Sequence, residues 1–167
     1  MNLGLSDELK LVFPNISPVS RPLLLDRGVK DPNWLAGFTS GEGCFFVSIR
    51  KSSTCKIGKS VTLKFKIAQH SRDTELMESL ITILGCGRIE LNLARSAVYF
   101  LVLRYQDISD KVIPFFDRYH IKGVKESDYS DFKQVAILMG KKAHLTEEGL
   151  SQIQSIKSNM NFLRSSD

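Results

Sequence analysis

The chain has 167 residues, of which 43% are hydrophobic and 25% charged, and it carries a net charge of +5. Such a length and composition fit one globular domain with a single core and exclude a disordered or low-complexity protein. The longest apolar run, residues 97–103, falls far short of a membrane helix, which needs roughly 20 residues, and the N-terminal residues do not read as a secretory or transit signal.

The charge is unevenly spread. Residues 43–72 hold seven Lys or Arg and no Asp or Glu, whereas the remaining 137 residues hold 16 basic and 18 acidic side chains. All the excess positive charge therefore lies in one stretch, a pattern that points to a polyanionic partner, nucleic acid first.

In chain order, residues 1–30 read as a stub and linker ahead of a single domain over residues 31–167. Leu5, Leu9, Val12 and Phe13 recur at helical spacing after a candidate cap, Ser6. Pro14, Pro18 and Pro22 then forbid a long helix, and Leu23 to Leu25 are apolar within the linker. Asp31-Pro32 is a helix start, an N-cap acid followed by proline at the first helical position. Trp34, Leu35 and Phe38 give this helix an apolar face, and Gly41 and Gly43 close it.

Two strands are expected next, over residues 44–50 and 60–69, joined by a polar loop containing Gly58. Phe45, Val47 and Ile49, with Val61, Leu63, Phe65 and Ile67, alternate onto one face; Cys44, Phe46, Ser48 and Arg50, with Ser60, Thr62, Lys64, Lys66 and Ala68, alternate onto the other. Thr74–Leu84 reads as a helix capped by Ser71 or Asp73 and stopped by Gly85. A second hairpin is expected over 88–93 and 97–104. Its second strand is apolar throughout, so period alone does not assign its faces. Helices over 107–119, bent at Pro114, over 127–141 and over 146–160 complete the chain.

The order is α-β-β-α-β-β-α with extra C-terminal helices, an α+β domain with a four-stranded antiparallel sheet. The second face of the sheet cannot be core, because Lys64 and Lys66 would be buried without partners. An antiparallel sheet can leave one face in water, here a face of cations and hydrogen-bonding side chains suited to a nucleic-acid groove. By alternation Ser48, Arg50, Ser60, Thr62, Lys64, Lys66, Arg88, Glu90 and Asn92 are expected to face DNA. Arg and Lys suit guanine edges, Asn92 adenine and Glu90 cytosine. Cys44, Cys55 and Cys86 are odd in number without Cys-x-x-Cys spacing, and His70, His120 and His144 lie far apart, so reduced thiols and neither a disulfide framework nor a zinc site are expected.

Residues 35–43, Leu-Ala-Gly-Phe-Thr-Ser-Gly-Glu-Gly, resemble the motif of the LAGLIDADG homing endonucleases, with Glu42 in place of the second acid. The wider Trp34 to Phe46 segment, residues 84–87 and residues 121–125 resemble the C-terminal half of the single-chain, two-motif enzymes of fungal mitochondria. The residues support this independently. Ala36, Gly37, Ser40 and Gly41 put small side chains on one helical face, so two such helices could pack closely and bring two Glu42-type carboxylates together. Paired carboxylates hold hard cations such as Mg²⁺, or Ca²⁺ or Mn²⁺ in its place.

The resemblance implies a site-specific, metal-dependent double-strand DNA endonuclease domain of mitochondrial origin. It implies Glu42, Gln69 and Lys125 as catalytic candidates, Glu42 and Gly41 as metal-holding residues, and Tyr99 and Leu101 as further DNA contacts. Since this chain has one motif where those relatives have two, a homodimer through Ala36, Gly37, Ser40 and Gly41, or pairing with a separate N-terminal half, is expected. The alternative is a catalytically silent DNA-binding half-domain or an RNA-splicing maturase relative; the retained Glu42 argues against a dead site.

Overall fold

The computed structural model describes residues 6–16, 29 and 31–161. Leu5, Pro18, Pro22 and Leu23–Leu25 of the expected stub and linker lie outside these. The stub contains a short helix, α1 (Asp7–Val12), whose N-cap Ser6 side chain accepts from the Leu9 amide as its position suggested.

The motif helix, α2, spans Pro32–Glu42, with the Asp31 side chain accepting from the Asn33 amide at its start. It runs directly into β1 (Gly43–Lys51), which pairs antiparallel with β2 (Lys59–His70). After α3 (Thr74–Leu84) come β3 (Arg88–Asn92) and β4 (Ala97–Val102), and the sheet order is β1-β2-β4-β3. Four elements complete the layer: α4 (Tyr105–Asp107), α5 (Ile113–Arg118), α6 (Val124–Gly140) and α7 (Glu147–Ser158). This is the expected α+β architecture, with every strand neighbour antiparallel.

The differences from the expected elements are local. Neither Ser71 nor Asp73 caps α3 through its side chain; a 3₁₀ turn at Ser71–Asp73 leads in, and the Thr74 hydroxyl donates to the Ser71 carbonyl. Gly85 ends α3 in the left-handed region (φ 65°), as the sequence implied. The helix expected at 107–119 starts at Tyr105 and widens into a π turn over Ile108–Val112 just before Pro114. Proline has no amide to continue the ladder, and the preceding turn accommodates that loss. The sixth helix begins three residues earlier than its apolar pattern suggested, which places Lys125 in its first turn.

The core lies between the inner face of the sheet and the helices. Phe45 is its hub: its ring lies 5.1 Å from that of Phe65, 5.2 Å from Phe132, 5.5 Å from Tyr129 and 6.0 Å from Phe116. Val47, Val61, Leu63, Phe65 and Ile67 are buried with it, as alternation required, and Val98, Phe100 and Val102 continue the layer from β4. All three cysteines are free thiols. No helix among the described residues is long and apolar enough to cross a membrane.

Candidate nucleic-acid interface and catalytic helix

The strand register settles what alternation left open. Lys66 stands opposite Cys44 on one side and Leu101 on the other, and Leu101 in turn faces Arg88. Lys64 faces Phe46, Thr62 faces Ser48, Ser60 faces Arg50, Ala68 faces Tyr99, Tyr99 faces Glu90 and Asn92 faces Ala97. All the expected DNA-facing residues thus share the outer face, because a period of two keeps Val61, Leu63, Phe65 and Ile67 on the other.

Several of these side chains are held in place by neighbours. The Lys66 ammonium sits 3.9 Å from the centre of the Tyr99 ring, and the Lys64 ammonium lies 5.5 Å over Phe46. Both contacts aim a cation without neutralising it. Arg88 pairs with Glu90 along the same strand, so these two present a joint donor and acceptor edge. Two expected contacts are less available. Asn92 uses its side-chain oxygen to accept from the Arg95 amide, which leaves its NH₂ free. Leu101 is on the outer face but only 5% exposed, so it is filling beneath its neighbours rather than a contact surface.

The motif helix has two unlike sides. Leu35, Ala36 and Thr39 are buried in this domain; Ala36 is 3% exposed. Ser40 also looks inward: its hydroxyl donates to the Ala36 carbonyl (2.8 Å) and accepts from the Lys122 amide (3.1 Å). Ala36 and Ser40 are therefore removed from the expected interface. The side left open carries Trp34, Gly37, Phe38 and Gly41, at the i, i+3, i+4, i+7 spacing of one helical stripe. Trp34 is 41% exposed and stacks on Phe38, with ring centres 4.8 Å apart.

A Cβ at Gly37 or Gly41 would meet nothing within 4 Å. Glycine inside a helix costs about 0.5–1 kcal/mol relative to alanine. Nothing within the described chain offsets that cost at these two positions. Gly43 is the contrast: a Cβ there would collide with the Thr39 side chain and carbonyl, so the turn from helix to strand requires glycine for its own packing.

Glu42 is the last residue of α2, exposed, with no basic residue in the last turn. A carboxylate at the negative end of a helix is unfavourable unless a cation joins it. Its hard oxygen donors fit a divalent ion. Among the described residues no three His, Cys, Asp or Glu gather into a metal-holding group.

Two further expected residues, Gln69 and Lys125, lie near the helix-to-strand junction that follows Glu42. Gln69, the penultimate residue of β2, lies two residues past Ile67, the partner of Gly43, at the end of the sheet where α2 enters; its side-chain oxygen accepts from the His70 amide, leaving the NH₂ to donate. Lys125 stands close enough to Cys44 to act on its thiol electrostatically, as do Lys66 and Lys64. Burial nonetheless pushes that thiol up, aided by Asp128, so it stays protonated and donates to the Asn161 side chain at 3.5 Å.

Asn161 was not foreseen. Its NH₂ donates to the Phe45 carbonyl, its side-chain oxygen accepts from Cys44, and its backbone amide donates to the buried Asp128 carboxylate. It ties the start of β1, next to Glu42, to the first turns of α6, next to Lys125. A left-handed residue (φ 56°) beyond the last helix leaves no mark in hydrophobic periodicity.

A sequence profile described as LAGLIDADG endonuclease matches residues 35–136. The relative named "Probable intron-encoded endonuclease 2" of Neurospora crassa is 41% identical over 96% of this chain, and the match covers 36% of that relative. Two solved structures are similar. The I-SmaMI LAGLIDADG homing endonuclease bound to cleaved DNA is 45% identical with a TM-score of 0.88, over 99% of this chain and 55% of that one. I-SmaMI bound to an uncleaved DNA target in the presence of calcium ions is 46% identical with a TM-score of 0.86, over 96% and 54%. The chain thus spans about half the length of these structures and about a third of the curated relative.

Proposed function

Because the chain belongs to the LAGLIDADG endonuclease family, we propose that it is one half of a site-specific double-strand DNA endonuclease. Residues 31–167 form its single domain, and residues 1–30 are a stub and linker ahead of it. The carrying observation is the position of Glu42: it ends a helix whose open stripe holds two glycines without an internal role, directly beside a cationic sheet. A second helix of the same kind, from another copy of this chain or from a separate N-terminal half, would pack on that stripe and supply the second carboxylate.

Glu42, with the Gly41 carbonyl beside it, would hold a divalent cation, Mg²⁺ by preference. When bound, the cation supplies Lewis-acid activation of water and charge stabilisation at the scissile phosphate. Lys125, three residues beyond the Lys122 amide that donates to the Ser40 hydroxyl, offers positive charge to the same phosphate. The free NH₂ of Gln69 is available to orient water. The sheet reads bases through Arg50, Lys64, Lys66, Arg88 and Glu90, while Ser48, Ser60 and Thr62 add shorter hydrogen-bonding groups. The intron-encoded fungal relative supports a mitochondrial origin.

The test uses a randomised duplex library with Mg²⁺. The wild-type protein is expected to enrich cut ends at one site. Glu42→Gln is expected to abolish cutting while leaving duplex affinity intact or improved. Cutting by Glu42→Gln at the wild-type rate would contradict the assignment, and binding without any cutting by the wild type would mark a silent binding module.

A further inference from the structure

At the end of the sheet farthest from Glu42, the β1–β2 hairpin and α7 enclose a groove of about 350 Å³. Arg50, Lys51, Lys59 and Lys157 line it, with Gln154 and Ser158 between them, and no acid does. Among the described residues none of these four cations enters an ion pair. Lys51 and Lys59 moreover stand directly opposite one another in the ladder, where like charges repel. Four unneutralised cations around one groove are a cost to the folded chain that a bound polyanion would remove.

The placement identifies which part of a polyanion. Arg50 is on the DNA-facing side of β1, while Lys51 and Lys59 have the parity of the inner face and Lys157 comes from the helix layer. The cluster therefore turns the corner of an edge strand, beyond the reach of base edges but within reach of a backbone at the rim of the groove. From Gly43 to Lys51 the strand rises about 26 Å, at roughly 3.3 Å per residue. At about 3.4 Å per base step, that is about eight base pairs from the helix end.

We propose that this groove is a phosphate clamp that grips the DNA backbone in the flank, about eight base pairs from the cleavage centre, through Lys51, Lys59 and Lys157. This rests on the duplex-binding reading above and adds to it residues that read no sequence. It gives the half-enzyme a sequence-independent hold on DNA, and it assigns α7 to binding rather than to the core alone.

The experiment measures the affinity of the full chain for a 30-base-pair duplex of random sequence across a salt series. The Lys59→Gln/Lys157→Gln double variant is compared with Lys64→Gln/Lys66→Gln. Each lost phosphate contact lowers the salt slope by about 0.9, so the groove variant is expected to lose close to two units on any sequence. Its thermal midpoint should stay at or above that of the wild type, since removing Lys59 relieves a repulsion. An unchanged slope, with the sheet variant weakened, overturns the clamp and leaves the duplex-binding reading standing. No duplex binding by the wild type overturns both. If the groove variant loses affinity for a 30-nucleotide single-stranded RNA but not for the duplex, the groove serves RNA and the clamp is wrong.

Discussion

The outer face of the sheet and the open stripe of α2 are both unsatisfied surfaces, but they are incomplete in different ways. The sheet face is finished within one chain: its cations are aimed by Tyr99 and Phe46, its register is fixed by a sealed core beneath, and Arg88 and Glu90 orient each other. The helix stripe is half of something. It exposes Trp34, ends in Glu42 with no metal-holding group of three His, Cys, Asp or Glu among the described residues, and spends two glycines on space that no described part of the chain fills. On the function proposed above, reading DNA is a property of one domain and cutting it a property of two.

Breaking the support under the sheet should have the largest effect. Phe65 contacts the rings of Phe45, Phe100 and Phe116, and Phe65→Ala should lose roughly 3–5 kcal/mol through the cavity left behind, read as a large fall in thermal midpoint and lost binding. Lys64→Ala and Lys66→Ala should leave the midpoint near that of the wild type. The reverse pattern would shift the strand register by one and remove every assignment on β2.

On an intact sheet, Lys66→Ala should change the preferred base at one or two positions, costing about 1–3 kcal/mol at the matched base. A selection from randomised duplexes would show this as a local change in the consensus. Equal weakening on all sequences would instead make Lys66 a phosphate contact, and Tyr99 would then be aiming a backbone anchor.

A smaller and differently distributed effect is expected at Asn161. Its side chain joins Cys44 and Phe45, beside Glu42, to the α6 turn that carries Lys125. Asn161→Ala should cost about 0.5–1.5 kcal/mol of stability per lost hydrogen bond. Single-turnover cleavage should slow while duplex affinity and base preference stay unchanged, and Asn161→Asp should recover part of the rate. A variant that loses affinity and rate together would make Asn161 a general structural support.

What could be read from the chain follows the same division. The inner and outer faces of β1 and β2 were legible because alternation is strict there and an error would bury lysines. The apolar run of β4 hid its faces until pairing with β2 and β3 placed Tyr99 and Leu101 on the outer side. The small residues of α2 were legible as a pattern, but not which of them faced out. Ala36 and Ser40 turn inward because the Ile121–Lys125 segment packs there and borrows the Ser40 hydroxyl, a contact between residues 82 positions apart. Asn161, 117 residues from Cys44, was invisible for the same reason. Local periodicity fixes a face; it does not say what will lie on it.

The central claim is that one chain binds and two chains cut. Sedimentation of the wild type and of Gly37→Leu, each alone and with a duplex carrying two inverted copies of the half-site, tests it most directly. A leucine on the open stripe would force two helices apart, at about 1–3 kcal/mol or more, while its Cβ would meet nothing within 4 Å among the described residues. The wild type should sediment as two chains, and Gly37→Leu as one chain that folds, binds each half-site independently and does not cut. A wild type that remains a single chain while it cuts, or a Gly37→Leu variant that still pairs, would contradict the account.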